Sequence, residues 1–280
     1  KGPSSALYGS DGLAGAILYI TKDPSDLASE NDVYQSVTAG YDSDNEHSKV
    51  SYLAANVGEK MEGLVQITAR DVSETELHDD AVKKPNPFSG EQSSIFLKGK
   101  YLINDNLGLT LTYDTQESEG DWNLNSTLGT SGYPQMVSTS SSIGDDDVSR
   151  DRISLSLDFS ADSGLFDNGS FSIYSQDTDQ RQVTTIDKSI VGNFVNGARG
   201  PQFVPNIPPT PIREFKDYIF DQSIDGFAVQ FYKSIESESG AVHNIVYGAE
   251  QESIDVSRPR YRTETNLMTN AVNSNIGGEL

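Results

Sequence analysis

Hydrophobic and polar positions take turns along much of this chain. Leu107, Leu109, Leu111 and Tyr113 alternate with Gly108, Thr110, Thr112 and Asp114. Ile153, Leu155, Leu157 and Phe159 alternate with Ser154, Ser156, Asp158 and Ser160. Ile95, Leu97, Tyr101 and Ile103 share one parity and Lys98 and Lys100 the other, while Val65, Ile67 and Ala69 oppose Gln66, Thr68 and Arg70. Phe227, Val229 and Phe231 share a face, as do Ile245, Tyr247 and Ala249. Successive side chains of a strand point to opposite faces, so period two predicts half-buried strands. No stretch shows a convincing helical period. The pattern predicts strands at about 32–41, 47–57, 62–72, 93–103, 107–117, 150–160, 169–181, 223–235 and 242–255.

The connections alternate in length. Short ones lie near Gly58-Glu59-Lys60, Asn104-Asp105-Asn106, 161–168 and 236–240, and longer ones at about 73–92, 118–149 and 182–222. The long ones are rich in Ser, Asp, Gly and Pro, and the last holds Pro201, Pro205, Pro208, Pro209 and Pro211. Only the connection at about 42–46 breaks the rule by being short. Tight turns on one side and long loops on the other are the pattern of bacterial outer-membrane barrels. In a soluble all-β domain, such long structureless loops would be unusual. Tyr41, Tyr101, Tyr113, Tyr174, Phe231, Tyr232 and Tyr247 near strand ends are compatible with aromatic girdles at the membrane interfaces. Gln66, Arg70, Lys98 and Lys100 would then face the lumen and its water.

Composition sharpens this picture. Asp and Glu number 42 against 20 Lys and Arg, a formal net charge of -22, which argues against nucleic acid as a partner. The acidity is expected in solvated loops outside the barrel. The absence of Cys excludes a disulfide framework and thiolate metal sites. No apolar run approaches the ~20 residues of a spanning helix. That excludes a helical membrane protein but not a β-barrel, whose alternating strands give a weak hydropathy signal.

Little here looks catalytic. Without Cys, and with three scattered His, a nucleophile–base pair is hard to assemble. The Gly-rich start lacks the Lys-Ser/Thr ending of a phosphate loop. His78 lies in an expected loop among Glu74, Glu76, Asp79 and Asp80. Imidazole is a usual axial ligand of haem iron, so His78 is a candidate haem contact; its other reading is a solvated loop histidine. His47 and His243 open strands and do not suggest cargo binding. Asp145-Asp146-Asp147 offers hard oxygen ligands but lacks the spacing of a calcium loop. No metal site and no resident cofactor are expected, and the chain is not read as an enzyme.

The N-terminus carries a more specific signal. Gly2-Pro3 is a turn dipeptide, and Ser4 or Ser5 can cap a helical turn at Ala6-Leu7-Tyr8. Gly15 to Lys22 then reads as a short strand ended by Asp23-Pro24. Gly2, Pro3, Ser5, Leu7, Tyr8, Gly9, Gly15, Ile17, Thr21 and Lys22 occur in fixed order, and the segment resembles the closing part of the plug domain of TonB-dependent outer-membrane receptors. The resemblance implies that 1–22 end the plug, 23–31 link it to the wall, and 32–280 form the N-terminal portion of the barrel. The fold class expected is all-β, a partial antiparallel transmembrane barrel of about nine strands out of about 22, cut at both ends. The chain starts inside the motif and stops at Gly277-Gly278-Glu279-Leu280. The resemblance also implies energised uptake in the outer membrane of a Gram-negative bacterium. The TonB partner would pull a box outside this chain, the ten motif residues would be structural, and the complete barrel would be monomeric.

A second resemblance lies near the other end. Asp225-Gly226-Phe227 through Gln230, His243 to Glu250, Arg258-Pro259-Arg260 as a loop entry, and Arg262 to Asn266 look like the middle barrel of the haem/haemoglobin branch of these receptors. It implies haem as cargo, with ferric siderophores as the rival and cobalamin or glycan as others. The histidines that ligate iron in that branch lie in the plug apex and a later loop, outside this sequence. A surface β-structured adhesin would share the acidity and the alternation, and a passive porin the strands; neither would carry the plug segment.

Overall fold

The computed structural model describes residues 21–75, 86–161, 163–198, 200–237 and 240–277. Twelve strands follow one another: β1 (Asp32–Asp42), β2 (His47–Val57), β3 (Met61–Ser73), β4 (Phe88–Asn104), β5 (Leu107–Asn123), β6 (Gly129–Ser131), β7 (Gln135–Ser160), β8 (Asn168–Gly197), β9 (Gly200–Glu236), β10 (Val242–Ser257), β11 (Arg260–Asn266) and β12 (Val272–Gly277). They form one antiparallel sheet in the order β1-β2-β3-β4-β5-β7-β8-β9-β11-β12, with β6 on β7 and β10 on β9. Most strands pair with their neighbour in sequence, as in a meander of hairpins; β5 pairs past β6 with β7, and β10 and β11 both lie on β9. The outer strands β1 and β12 do not pair with one another.

The alternation fixes what each face presents. One register row runs Val65, Leu97, Tyr113, Ile153 from β3 to β7, and another Leu111, Leu155, Ile173, Phe227 from β5 to β9. The rows between run Leu64, Lys98, Thr112, Ser154, Tyr174, Gly226. The sheet therefore has an apolar and a polar face. The apolar one is uncovered: Val37 is 71% exposed, Ile153 50%, Leu111 48% and Ile173 45%. On the polar face a small buried apolar set gathers, Ala55, Val57 and Leu64, beside fully buried Pro24. The accessible surface is 18944 Å². A compact chain of this mass would show about 12,000 Å². The apolar side chains are thus left exposed, and Ala55, Val57 and Leu64 are buried on the polar face instead.

The nine strands expected between 32 and 255 all occur, but two expected loops do not; of the short strand expected at Gly15 to Lys22, 15–20 lie outside the described residues and 21–22 are not in a strand. The stretch 118–149 is largely the ends of β5 and β7, and 182–222 is the hairpin of β8 and β9. These strands run to 26, 30 and 37 residues. At about 3.3 Å per residue, β8 spans roughly 100 Å, far more than the ~10 residues of a membrane crossing. The polarity of these segments hid them. Beyond the apolar band both faces are polar, so the alternation fades, while β-branched residues such as Val183, Thr184, Thr185 and Ile186 keep the extended form. Pro208 and Pro209 fall in a register shift that leaves 206–209 out of the β8 ladder, while Pro201, Pro205 and Pro211 stand opposite Asn196, Gly192 and Ser189. Strand β4 likewise begins at Phe88, inside the expected 73–92 loop, of which 76–85 lie outside the described residues.

Arg258-Pro259-Arg260 is also not the entry to a long loop. Strand β10 pairs with residues 221–236 of β9 and β11 with 212–218, so the chain passes the proline and continues along the same neighbour. Proline lacks the N–H needed for the ladder, which interrupts pairing for two residues, 258 and 259, only. Strand β12 then returns along β11. The count of about nine strands thus omits β6, β11 and β12.

Candidate functional site on the polar face

Lys98 organises the inner face near the short-turn end. The alternation of β4 points it to the same side as Lys100, between Leu64 of β3 and Thr112 of β5. Its side chain is 7% exposed. Its Nζ lies 2.8 Å from Thr21 Oγ1, 3.3 Å from Thr21 O, 3.0 Å from Lys22 O and 2.9 Å from Asp23 Oδ1. Lys100 Nζ reaches the other oxygen, Asp23 Oδ2, at 2.7 Å. A buried ammonium is tolerated only when its donors are matched, and four oxygens surround the three N–H groups here. Burial alone would raise the Asp23 carboxyl, but Lys100 and Lys98 outweigh it and hold it below the ordinary carboxylate range.

The residues after Asp23 are fixed as well. Pro24 begins a single 3-10 turn, Pro24–Asp26, where its missing N–H costs nothing. Asp23 N donates to Asp26 Oδ2 at 2.8 Å, and Asp26 N to Asp23 O at 3.0 Å. The turn packs on β2 and β3, over the buried apolar set. Beside it, the hydroxyls of Ser51 and Thr68 pair at 2.9 Å. Asn31 N then donates to Val57 O at 2.7 Å, and β1 begins.

Higher on the same face, Arg150 Nη2 meets Asp114 Oδ2 at 2.6 Å, and the Arg152 guanidinium stands 4.8 Å over the ring of Tyr174. The Tyr174 hydroxyl donates to Glu252 and lies 3.4 Å from Glu250. Arg152, Tyr174, Glu250 and Glu252 line an open cavity with Ser154, Ser172 and Gln176. Tyr174 and Tyr232 thus face inward, Tyr232 toward Asn244, and are not girdle residues. Tyr41, Tyr101, Tyr113, Phe231 and Tyr247 do share the apolar face. At its short-turn edge Phe231 lies 5.1 Å from Phe166, 6.1 Å from Phe159 and 5.2 Å from Tyr247.

Beyond the apolar band, an ion network joins β8, β9 and β11. Lys188 Nζ lies 2.5 Å from Glu214 Oε2 and 2.8 Å from Glu264 Oε1, and Arg262 Nε lies 2.6 Å from Glu214 Oε1. Burial pushes the Glu214 carboxyl up, and Lys188, Lys216 and Arg262 more than offset that. On the opposite face, Arg213 forms a two-pronged pair with Asp187 and Arg181 with Asp217.

The candidate site residues fare unequally. Of the plug motif, Thr21 and Lys22 join the Lys98 cluster, whereas Gly2, Pro3, Ser5, Leu7, Tyr8, Gly9, Gly15 and Ile17 lie outside the described residues. So does His78. His47 Nδ1 sits 2.7 Å from Asp71 O at the β1–β2 turn, and His243 opposes Ile235 at the other end of the sheet. Asp145, Asp146 and Asp147 are not in a loop but in β7, facing Asp121, Gly120 and Glu119 of β5. Burial, with the charges of Asp145 and Asp147, raises the Asp146 carboxyl against a hydrogen bond from Trp122. Among the described residues no three His, Cys, Asp or Glu gather as metal ligands would. The sequence reading passed over Asp23. The signal was the Lys98–Lys100 pair, two cations on an inner face in need of an anion.

No protein-family model matches the chain. It is 32% identical over 127 residues to hemoglobin-binding protein A of Haemophilus influenzae, a stretch covering 42% of this chain and 12% of that protein. It is 28% identical over 137 residues to hemoglobin and hemoglobin-haptoglobin-binding protein C of the same organism, covering 43% and 13%. The match thus spans about an eighth of the length of these relatives, which their names describe as binding proteins. Among solved structures, BauA, the ferric preacinetobactin receptor from Acinetobacter baumannii, aligns with 82% of this chain and 54% of its own at 10% identity and a TM-score of 0.35.

Proposed function

We propose that this chain is part of a TonB-dependent outer-membrane receptor that takes up haem iron. Residues 1–22 are the end of the plug, 23–31 the linker, and 32–280 a portion of the barrel wall. The observation that carries the reading is the uncovered apolar band. It crosses the strands on the face opposite to the one that holds Thr21, Lys22 and Asp23. An apolar band outside and polar side chains inside are what a lipid-embedded barrel needs, since lipid replaces water on one face only. An open sheet with its apolar face in water would bind itself or aggregate. Further strands between β12 and β1 close the wall.

In this reading the projecting hairpin of β8 and β9 stands in the external medium, and the short turns face the periplasm. The TonB partner acts on a segment outside these residues. The similarity to hemoglobin-binding proteins supports haem as the cargo iron. A haemin titration of the intact receptor in detergent, followed at the Soret band, tests it. A saturable shift at micromolar haemin or below is expected. No shift would remove haem, leave the uptake receptor standing, and make a ferric siderophore the next cargo to titrate.

A further inference from the structure

The cluster around Lys98 does more than tether a linker. We infer that it is a permanent clamp: residues 21–23 stay fixed on β4 while the receptor works, and Lys98 acts as a positioning residue for transport. This rests on the plug reading above.

The chemistry of the grip supports a contact that does not open. Two of its four acceptors are main-chain carbonyls, those of Thr21 and Lys22, so Lys98 holds the backbone itself. Residues 21–23 cover Lys98 down to 7% exposure, so releasing it would break four oxygen contacts at once and leave only water to replace them. The cation of the Arg150–Asp114 pair is 38% exposed, against 7% for Lys98.

The position of the clamp also matches a fixed point. Strand β4 is an interior strand, paired with β3 from Tyr101 to Ser89 and with β5 from Phe88 to Asn104. A load arriving at Thr21 therefore passes into the middle of the ladder. After the clamp no slack remains, because Lys100 holds Asp23, Pro24 is buried, and Asn31 is bonded to Val57. The linker would not lengthen when the segment before it is pulled.

These 280 residues contain no Cys, so a thiol pair placed here meets no competing thiol among them. The test uses the intact receptor carrying Asp23→Cys and Lys98→Cys, with and without a short bis-thiosulfonate reagent, which bridges the two thiols through reducible disulfides. Uptake into cells and cargo affinity are both measured. With a permanent clamp, the unlinked double variant loses uptake at least tenfold at unchanged affinity. Cross-linking restores uptake, and reduction abolishes it again. If the contact must open, the unlinked variant transports and cross-linking stops it, which overturns the inference. Equal uptake in both forms overturns it as well. A measurement without substitution guards against misfolded variants: trypsin cleavage after Lys22 in the native receptor should be equally slow with and without cargo. Acceleration above tenfold by cargo would again sink the clamp. Failure of the native receptor to take up any cargo counts against the uptake reading instead, and the trypsin protection still reports on the clamp.

Discussion

Glu214 of β9 and Lys188 of β8 meet at 2.5 Å on a face where Glu214 is 3% exposed. Such a buried pair adds little net stability, but loss of one partner strands the other. Lys188→Met would leave Glu214 to Arg262 and Lys216, so the cost is expected at about 2 kcal/mol, less than for a fully orphaned charge. Amide exchange along the upper halves of β8 and β9 should then quicken about 30-fold. Lys188→Met combined with Glu214→Met should cost less than Lys188→Met alone. The reverse order would show that Glu214 is not held by Lys188.

The same hairpin should be sensitive to acid. Hydrogen bonds from Lys188 to Glu264, from Arg213 to Asp187 and from Arg181 to Asp217 hold these three carboxyls below their ordinary values, and Glu214 lies low as well. A depressed carboxyl contributes stability above its unfolded pKa and loses it as pH falls through the lower folded value. The hairpin should therefore resist protease unchanged from pH 7 down to about pH 4.5 and weaken below about pH 4. Weakening that begins at pH 6 would point to histidine rather than to these pairs.

How much of this was legible in sequence depended on where water lies. Over 107–114 and 153–160 apolar and polar residues alternate, so the parity of Leu111 and Thr112 announced both strand and face. Beyond the band, Asp145, Arg181 and Asp187 see water on both sides, parity carries no signal, and acidic strand read as acidic loop. Pro259 looked like a strand end because proline usually is one; the tertiary fact that β9 runs on past it decided otherwise. The clamp was half legible. Lys98 and Lys100 were placed on the inner face by spacing, but nothing local says that the partner lies 75 residues earlier, at Asp23.

The assignment of faces has a direct test. Leu111 lies in the apolar band and Thr112 on the polar face. In the intact receptor in lipid vesicles, Leu111→Arg should cost about 2–4 kcal/mol of unfolding free energy, as a cation near the bilayer midplane does. Thr112→Arg, one residue on, should cost under about 1 kcal/mol, since that position already faces water. Urea unfolding followed by tryptophan fluorescence reads both. Equal costs would mean that the apolar band does not meet lipid.

Asp23 offers a second pH-dependent readout, independent of the hairpin. Its carboxyl faces Lys98 and Lys100, and Glu62 and Asp158 act on Lys100 from β3 and β7. Because it is held below the ordinary carboxylate range, protection of Lys22 from trypsin-like cleavage should persist at neutral pH and fade only below about pH 4. An acid-stable protease with Lys specificity makes the measurement, and Asp23→Asn should flatten the profile. A profile for Asp23→Asn identical to the native one would remove Asp23 from the grip.

Two glycines separate a yielding neighbour from an unyielding one. A Cβ on Gly226 would strike the end of the Tyr174 ring, which can swing aside at the loss of its bond to Glu252. A Cβ on Gly248 would strike the main-chain carbonyl of Val229 across the β9–β10 pair, and a strand cannot swing. Overpacking costs about 1–3 kcal/mol, with the rigid case at the upper end. Gly248→Ala should therefore lower the unfolding midpoint more than Gly226→Ala. Gly226→Ala and Tyr174→Phe should not add, because both remove the same hydroxyl contact. Strict additivity of that pair, read from the same urea titrations, would mean that the Tyr174 hydroxyl does not hold Glu252 in the folded wall.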